Sequence, residues 1–179
     1  GWRADGGTVT DVVISPFAPQ YAGEVRALFV VVNGLLSPPH MRDVFEAYIE
    51  RSLAEEIGRI EEYYRERDGG FWVALMGNKV VGMFGLERVG PDSLELRRMY
   101  VDPSVQRSGI ARRMLQYAEA ECRRRQIRKL ELSTSELQEA ALGFYRSAGY
   151  ALVREETAMD ASNKTVGAGI RRYYFEKLL

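Results

Sequence analysis

The sequence predicts an α/β fold, a single domain in which a mixed central sheet of about seven strands is flanked by about four helices. Three observations carry that expectation. Leu94, Leu96, Arg98 and Tyr100 alternate with Glu95, Arg97, Met99 and Val101 at the two-residue period of a strand, which Asp102-Pro103 stops. Ile110, Ala111, Met114, Leu115, Ala118 and Cys122 then recur at helical spacing. Strand and helix patterns of these kinds follow one another as β-α-α-β-β-β-α-β-α-β-β, with no internal repeat and no low-complexity segment.

In order, Gly1 to Gly7 is small and polar and reads as a frayed tail, leaving residues 8–179 as the domain. Val9 to Ile14 reads as the first strand, ended by Ser15-Pro16. Tyr21, Val25, Leu28, Phe29, Val32 and Leu36 give a first helix that Ser37-Pro38-Pro39 stops. Met41, Phe45, Ile49, Leu53, Ile57, Ile60 and Tyr64 form one apolar stripe, read as a single second helix that Asp68-Gly69-Gly70 ends. Phe71 to Met76 and Val80 to Arg88 make a hairpin across Gly77-Asn78-Lys79, and Gly90-Pro91-Asp92 turns the chain into the Leu94 strand. Beyond the Ile110 helix, Leu130, Leu132 and Thr134 alternate as a fifth strand. Leu137, Ala141, Phe144, Tyr145 and Ala148 form a helical stripe closed by Gly149. Tyr150 to Glu155 and Ile170 to Leu178 read as the last strands, joined by a polar loop from Ala158 to Ala168.

Composition narrows the function classes. The chain has 179 residues, 46% hydrophobic and 28% charged, which suits one domain with a sizeable core and neither a disordered nor a membrane-spanning chain. Lys plus Arg and Asp plus Glu are each 25, so the formal net charge is zero and bulk electrostatics favour no nucleic-acid partner. The basic run Arg123 to Lys129 reads as a helix C-terminus with charges that suit its dipole. Cys122 is the sole cysteine and His40 the sole histidine, so an internal disulfide, a cysteine-based metal site and a His-rich metal cluster are excluded, and no serine-histidine triad is suggested. No apolar run approaches a membrane span, no signal-peptide layout opens the chain, and a reducing, cytoplasmic setting is expected.

The segment with chemical content is Gln106-Arg107-Ser108-Gly109-Ile110-Ala111, between the Leu94 strand and the Ile110 helix. Glycine and a small residue there let backbone amides close on an anion at the helix's positive end, and a diphosphate fits such a turn; an ordinary strand-to-helix turn is the alternative.

With these segments placed, the chain resembles the GNAT superfamily of acyl-CoA-dependent N-acyltransferases over nearly its whole length. The family's diphosphate signature, Gln or Arg, two residues, Gly, one residue, then Gly or Ala, is matched by Gln106 to Ala111. Its second motif, Asn-x-x-Ala-x-x-Leu-Tyr with a Gly-aromatic ending, is mirrored by Gln138 to Tyr145 and then Gly149-Tyr150, with Gln138 in place of Asn and Phe144 in place of Leu. Leu132 to Ser135 with Gln138 also resembles the branch containing cysteine-conjugate N-acetyltransferases.

The resemblance implies acetyl-CoA as acyl donor, a primary amine of a small molecule or peptide as acceptor, and no metal. It places Met99 N–H on the thioester oxygen and Val101 on the pantetheine amides, with Tyr100 between them. Gln106, Arg107, Ser108, Gly109, Ile110, Ala111 and Arg112 cradle the diphosphate, and Gln138 adds a cofactor contact. Tyr145 takes the place of the general acid, as a phenol with an unperturbed pKa of about 10 can donate to a thiolate. Glu95 is the candidate base, with Glu87 on the neighbouring strand, or water, as substitutes. A transferase using another acyl-CoA and a non-catalytic acyl-CoA-binding module are the competing readings; acceptor identity and oligomeric state are not legible.

Overall fold

The computed structural model describes residues 11–106 and 108–179. The expected tail at residues 1–7, Val9 and Thr10 of the first expected strand, and Arg107 of the glycine turn lie outside the described residues. The elements are β1 (Val12–Pro16), α1 (Ala22–Leu36), α2 (Arg42–Glu55), α3 (Ile60–Glu66), β2 (Gly70–Met76), β3 (Lys79–Gly90), β4 (Ser93–Val101), α4 (Ile110–Arg124), β5 (Lys129–Ser135), α5 (Glu139–Ser147), β6 (Ala151–Ala158) and β7 (Ile170–Leu178). Together the strands form one seven-stranded sheet in the order β1-β2-β3-β4-β5-β7-β6, antiparallel everywhere except between β4 and β5.

Both faces of the sheet are covered, and the strand period sorts the side chains between them. On β2, Trp72 and Ala74 join the apolar cluster beneath α4 and α5, whereas Phe71 and Val73 face α1, α2 and α3. The first cluster holds Leu94 and Leu96 of β4 together with Met114, Leu115, Ala118 and Cys122 of the helical stripe read from the sequence. Burial pushes the Cys122 thiol to about 11, so it stays protonated and acts as a small core hydrophobe. His40 is exposed, in a 3-10 turn at Pro39–Met41.

One expected element is divided. The stripe from Met41 to Tyr64 is broken into α2 and α3 by a 3-10 turn at Ile57–Arg59, so the expected four helices are kept only if these two are taken as one. The break has a steric and an electrostatic cause. A Cβ on Gly58 would sit 2.6 Å from the Leu53 carbonyl oxygen, and Glu56, at φ −138 and ψ −64, leaves the helical path with its carboxylate fully buried. The stripe's period ran on across this break because both helices pack on the same side of the sheet.

Candidate active site

β4 departs from regular strand geometry in two places, and both open the same region. Its parallel ladder with β5 covers only Ser93 to Glu95 against Lys129 to Glu131. Past that point, among the described residues, the two strands are no longer paired. On its other edge, the ladder with β3 pairs Gly85 with Arg97 and Met83 with Tyr100, so Arg98 and Met99 together oppose Phe84. That is a β-bulge. Its first residue, Arg98, has φ +55, a left-handed conformation that costs a side-chain-bearing residue strain.

A cavity of about 110 Å³ fills the opening, with Glu95, Met99, Tyr100, Gln138 and Tyr145 among its walls. Tyr145 reaches it from α5, its ring packed 6.0 Å from Phe175 and 5.9 Å from Tyr150. It is therefore a core aromatic and a cavity-lining residue at once. Burial, and then the neighbouring Tyr100, raise its pKa well above the ordinary phenol value, which keeps it protonated at neutral pH. Gln138 accepts a hydrogen bond from Thr134 Oγ1 at 2.8 Å, fixing the start of α5 to the end of β5.

The glycine turn stands at the N-terminus of α4, where β4 leads through Val101, paired with Gly82, and a 3-10 turn at Pro103–Val105. Gly109 is the N-cap at φ +88, which glycine adopts freely. No side chain caps this helix and its first turn holds no acidic residue, so its leading amides are left for an anion. Arg112 points back across α5, its Nη2 donating to Ser147 Oγ at 3.1 Å, with its guanidinium 5.6 Å from the Phe144 ring. Gln106, Ser108 and Arg112 are exposed, outside the cavity wall formed by the bulge.

On the face toward α2 and α3 the cavity abuts a buried charge network. Arg97 Nη2 and Arg98 Nη2 donate to Glu56 Oε1 at 3.0 and 2.9 Å, and Arg98 Nε donates to Glu56 Oε2 at 3.0 Å. Tyr64 donates to Glu56 Oε2 at 2.6 Å; Gly85 lets it approach, since a Cβ there would meet the ring at 2.7 Å. Glu87 accepts from Tyr63 at 2.8 Å, Arg97 at 3.1 Å and Lys164 at 3.0 Å. Lys164 Nζ also bonds Glu95 at 3.0 Å, and the neighbouring Asn163 donates to Glu56 and Tyr63 at 3.1 Å each. The loop between β6 and β7 is thereby tied into the network.

The ion pairs decide the protonation states. Burial pushes the Glu56 carboxyl up, but Arg98, Arg97 and the Tyr64 hydroxyl outweigh it and hold it below its ordinary value. The same contest, with Arg97 and Lys164 as the cations, holds Glu87 low. Lys164 is raised, because Glu95 and Glu87 outweigh its own burial. Glu87 and Glu95 are both ion-paired, each to Arg97 and Lys164; Glu95 lines the 110 Å³ cavity and Glu87 does not.

The structure therefore gathers Glu95, Met99, Tyr100, Gln138 and Tyr145, and sets Val101 and the Gln106 to Arg112 turn beside them. Sequence reasoning missed Glu56, Arg97, Arg98, Asn163 and Lys164 as parts of the site. A signal was present: adjacent residues of a regular strand point to opposite faces, so Arg97-Arg98 inside an otherwise apolar strand demanded either an exposed arginine or a bulge.

Comparison with known proteins identifies the family and the fold. N-acetylaspartate synthetase of Danio rerio is 32% identical over 122 residues, 65% of this chain and 42% of that protein. Human N-acetyltransferase 8 is 30% identical over 109 residues, 58% of this chain and 48% of that protein. The chain thus spans less than half the length of these relatives. A GNAT-family acetyltransferase of Staphylococcus aureus superposes with a TM-score of 0.72 at 20% identity, over 94% of this chain and 99% of that one. The ribosomal-protein-S18-alanine N-acetyltransferase of Escherichia coli does so at 0.67 and 17% identity, over 93% of each chain. Among the described residues, no helix is long and apolar enough to cross a membrane and no cluster of metal-ligating side chains is present. Residues 38–150, well over half of the chain, match the acetyltransferase (GNAT) family model, and the chain belongs to that family.

Proposed function

We propose that the chain transfers an acetyl group from acetyl-CoA to a primary amine of a small molecule or peptide by direct attack. The observation that carries this reading is that the splayed, bulged end of β4 and the buried Tyr145 line one cavity, with the uncapped N-terminus of α4 following β4 in the chain. The helix amides and Arg112 hold the diphosphate, with Arg107 adding charge, and the pantetheine arm lies along Met99 to Val101. Glu95, directly or through water, takes a proton from the acceptor ammonium. The free amine attacks the thioester carbonyl, and the negative oxygen that forms is met by Met99 N–H. As the carbon–sulfur bond breaks, Tyr145 delivers its proton to the CoA thiolate, and the second proton of the attacking nitrogen returns the tyrosinate to its phenol, directly or through water.

Because Thr134 occupies the Gln138 oxygen, a cofactor contact at Gln138 falls to its amide nitrogen. The relatives named for N-acetylaspartate make L-aspartate the first acceptor to try, and Arg172, on the cavity wall, offers a guanidinium to a carboxylate.

The test is calorimetric titration of acetyl-CoA into the wild type and Gly109→Glu. The wild type binds; the variant does not, since a carboxylate fills the turn and opposes the phosphates. Intact binding in the variant puts the diphosphate elsewhere.

A further inference from the structure

We infer that Arg98 is a positioning residue: its buried guanidinium, anchored to the end of α2, holds β4 in the left-handed bulge that aims the Met99 amide into the cavity. The inference rests on the reading of Met99 proposed above, and it makes α2, which carries Tyr48 and Ser52, part of the acyl-transfer apparatus.

Arg98 takes a conformation that glycine adopts at no cost and that arginine adopts against its preference. A strained residue persists when its surroundings over-determine it, and those surroundings are explicit. The side chain is 3% exposed. Its Nη1 donates to Tyr48 at 2.6 Å, and its Nη2 to Ser52 Oγ at 3.2 Å and to the Asn163 carbonyl. Nε and Nη2 grip both oxygens of Glu56, and the Phe29 ring lies 5.1 Å below the guanidinium. Tyr48 and Ser52 lie on α2, and Glu56 caps its C-terminus.

Arg97 reaches Glu56 by ordinary strand geometry. Arg98, the next residue, could not reach the same carboxylate from a regular strand, whose consecutive side chains diverge. The bulge and the convergence of two arginines on Glu56 are one structural fact. Breaking the grip on Arg98 removes the reason for the left-handed turn, and β4 can then relax toward a flat register in which the amide after Arg98 points elsewhere.

Comparison of Arg98→Ala with Arg98→Gly isolates the effect, because both lose the guanidinium and only glycine keeps free access to φ +55. The readout is the ratio of CoA to acetyl-CoA dissociation constants by calorimetry, at a temperature where circular dichroism shows each variant folded. CoA reports the diphosphate turn, and the ratio reports the contact to the thioester oxygen. The wild type is expected to favour acetyl-CoA about 2- to 10-fold, the net yield of one hydrogen bond. Arg98→Gly should keep most of that preference and Arg98→Ala should lose it, with CoA binding equal in all three.

If Arg98→Ala does not fold, Glu56→Gln against Glu56→Gln/Arg98→Gly poses the same contrast, the glycine restoring the preference. A preference that survives Arg98→Ala, or that is lost equally with glycine, overturns the positioning role while leaving the cleft reading intact. A wild type that binds neither ligand, or both alike, overturns the cleft reading itself.

Discussion

The two faces of the sheet are built on different physics. Beneath α4 and α5 the contact is a single apolar cluster in which Leu94, Met114, Ala118, Cys122 and Leu130 are wholly buried, while the buried Glu119 and Glu121 of α4 pair with Lys177 and with Arg124 and Arg125. Beneath α2 and α3 the apolar cluster surrounds Glu56, Arg97, Arg98 and Glu87, all buried. An apolar face is stable in many arrangements of similar volume, whereas buried charges are tolerated only with their partners in place. The side that has to hold an irregular backbone is the side on which two buried arginines converge on one carboxylate. Specificity of geometry, more than stability, is what the ionic face supplies, since such a network gains little over an apolar core of equal shape.

The sharpest way to break the comparison is Glu56→Gln. It leaves Arg98, 3% exposed at the side chain, without its carboxylate and Arg97 with those of Glu87 and Glu95, and loss of one member of a buried pair costs about 3 to 5 kcal/mol. Chemical denaturation should read that loss together with reduced acetyl transfer. On the other face, Leu94→Ala removes a fully buried side chain and should cost about 2 to 5 kcal/mol through transfer and cavity terms. Once folded, the Leu94→Ala protein should retain its preference for acetyl-CoA over CoA, because the bulge anchor is untouched.

Acid separates the two faces more finely. Glu56 and Glu87 are held below their ordinary values. Their contribution is present above the unfolded carboxylate value of about 4.3 and is lost as pH falls through the lower folded values. Stability measured downward from pH 5 should decline in the wild type and in Leu94→Ala in parallel, and decline less steeply in Glu56→Gln. The smallest effect belongs to Lys164→Met. That side chain is 44% exposed, so its pairs with Glu87 and Glu95 contribute about 0 to 1 kcal/mol. Its raised value places any loss at high pH, above about 10.4, where the unfolded lysine deprotonates first. The same variant frees Glu95 and should alter the pH dependence of turnover more than it alters the melting temperature.

Much of this molecule was legible in its sequence. The Ile110 to Cys122 stripe, the hairpin across Gly77-Asn78-Lys79 and the glycine turn are local patterns, and they reappear as α4, the β2–β3 hairpin and the Gly109 cap. The placement of β7 between β5 and β6 was not, because pairing of distant strands leaves no mark in local periodicity. Glu56 counted as one polar residue among several off the apolar stripe; its partners are 41 and 42 residues away. Read alone, the Ala158 to Ala168 loop was only polar, and its role emerges when Asn163 and Lys164 are seen bonded to Glu56, Glu87 and Glu95.

The central claim, that the opening between β4 and β5 performs acetyl transfer with Tyr145 as proton donor, is tested most directly by Tyr145→Phe. Phenylalanine keeps the ring against Phe175 and Tyr150, so the fold and acetyl-CoA affinity by calorimetry should persist. Steady-state CoA release on an accepted amine should fall by about 10² to 10⁴, the usual range for a general acid. That is about 3 to 5 kcal/mol of barrier, with the lower end favoured because a thiolate leaves readily. Full turnover in the variant would contradict the account and reduce Tyr145 to a packing residue; weakened acetyl-CoA binding with normal turnover would contradict it too, making the hydroxyl a binding group.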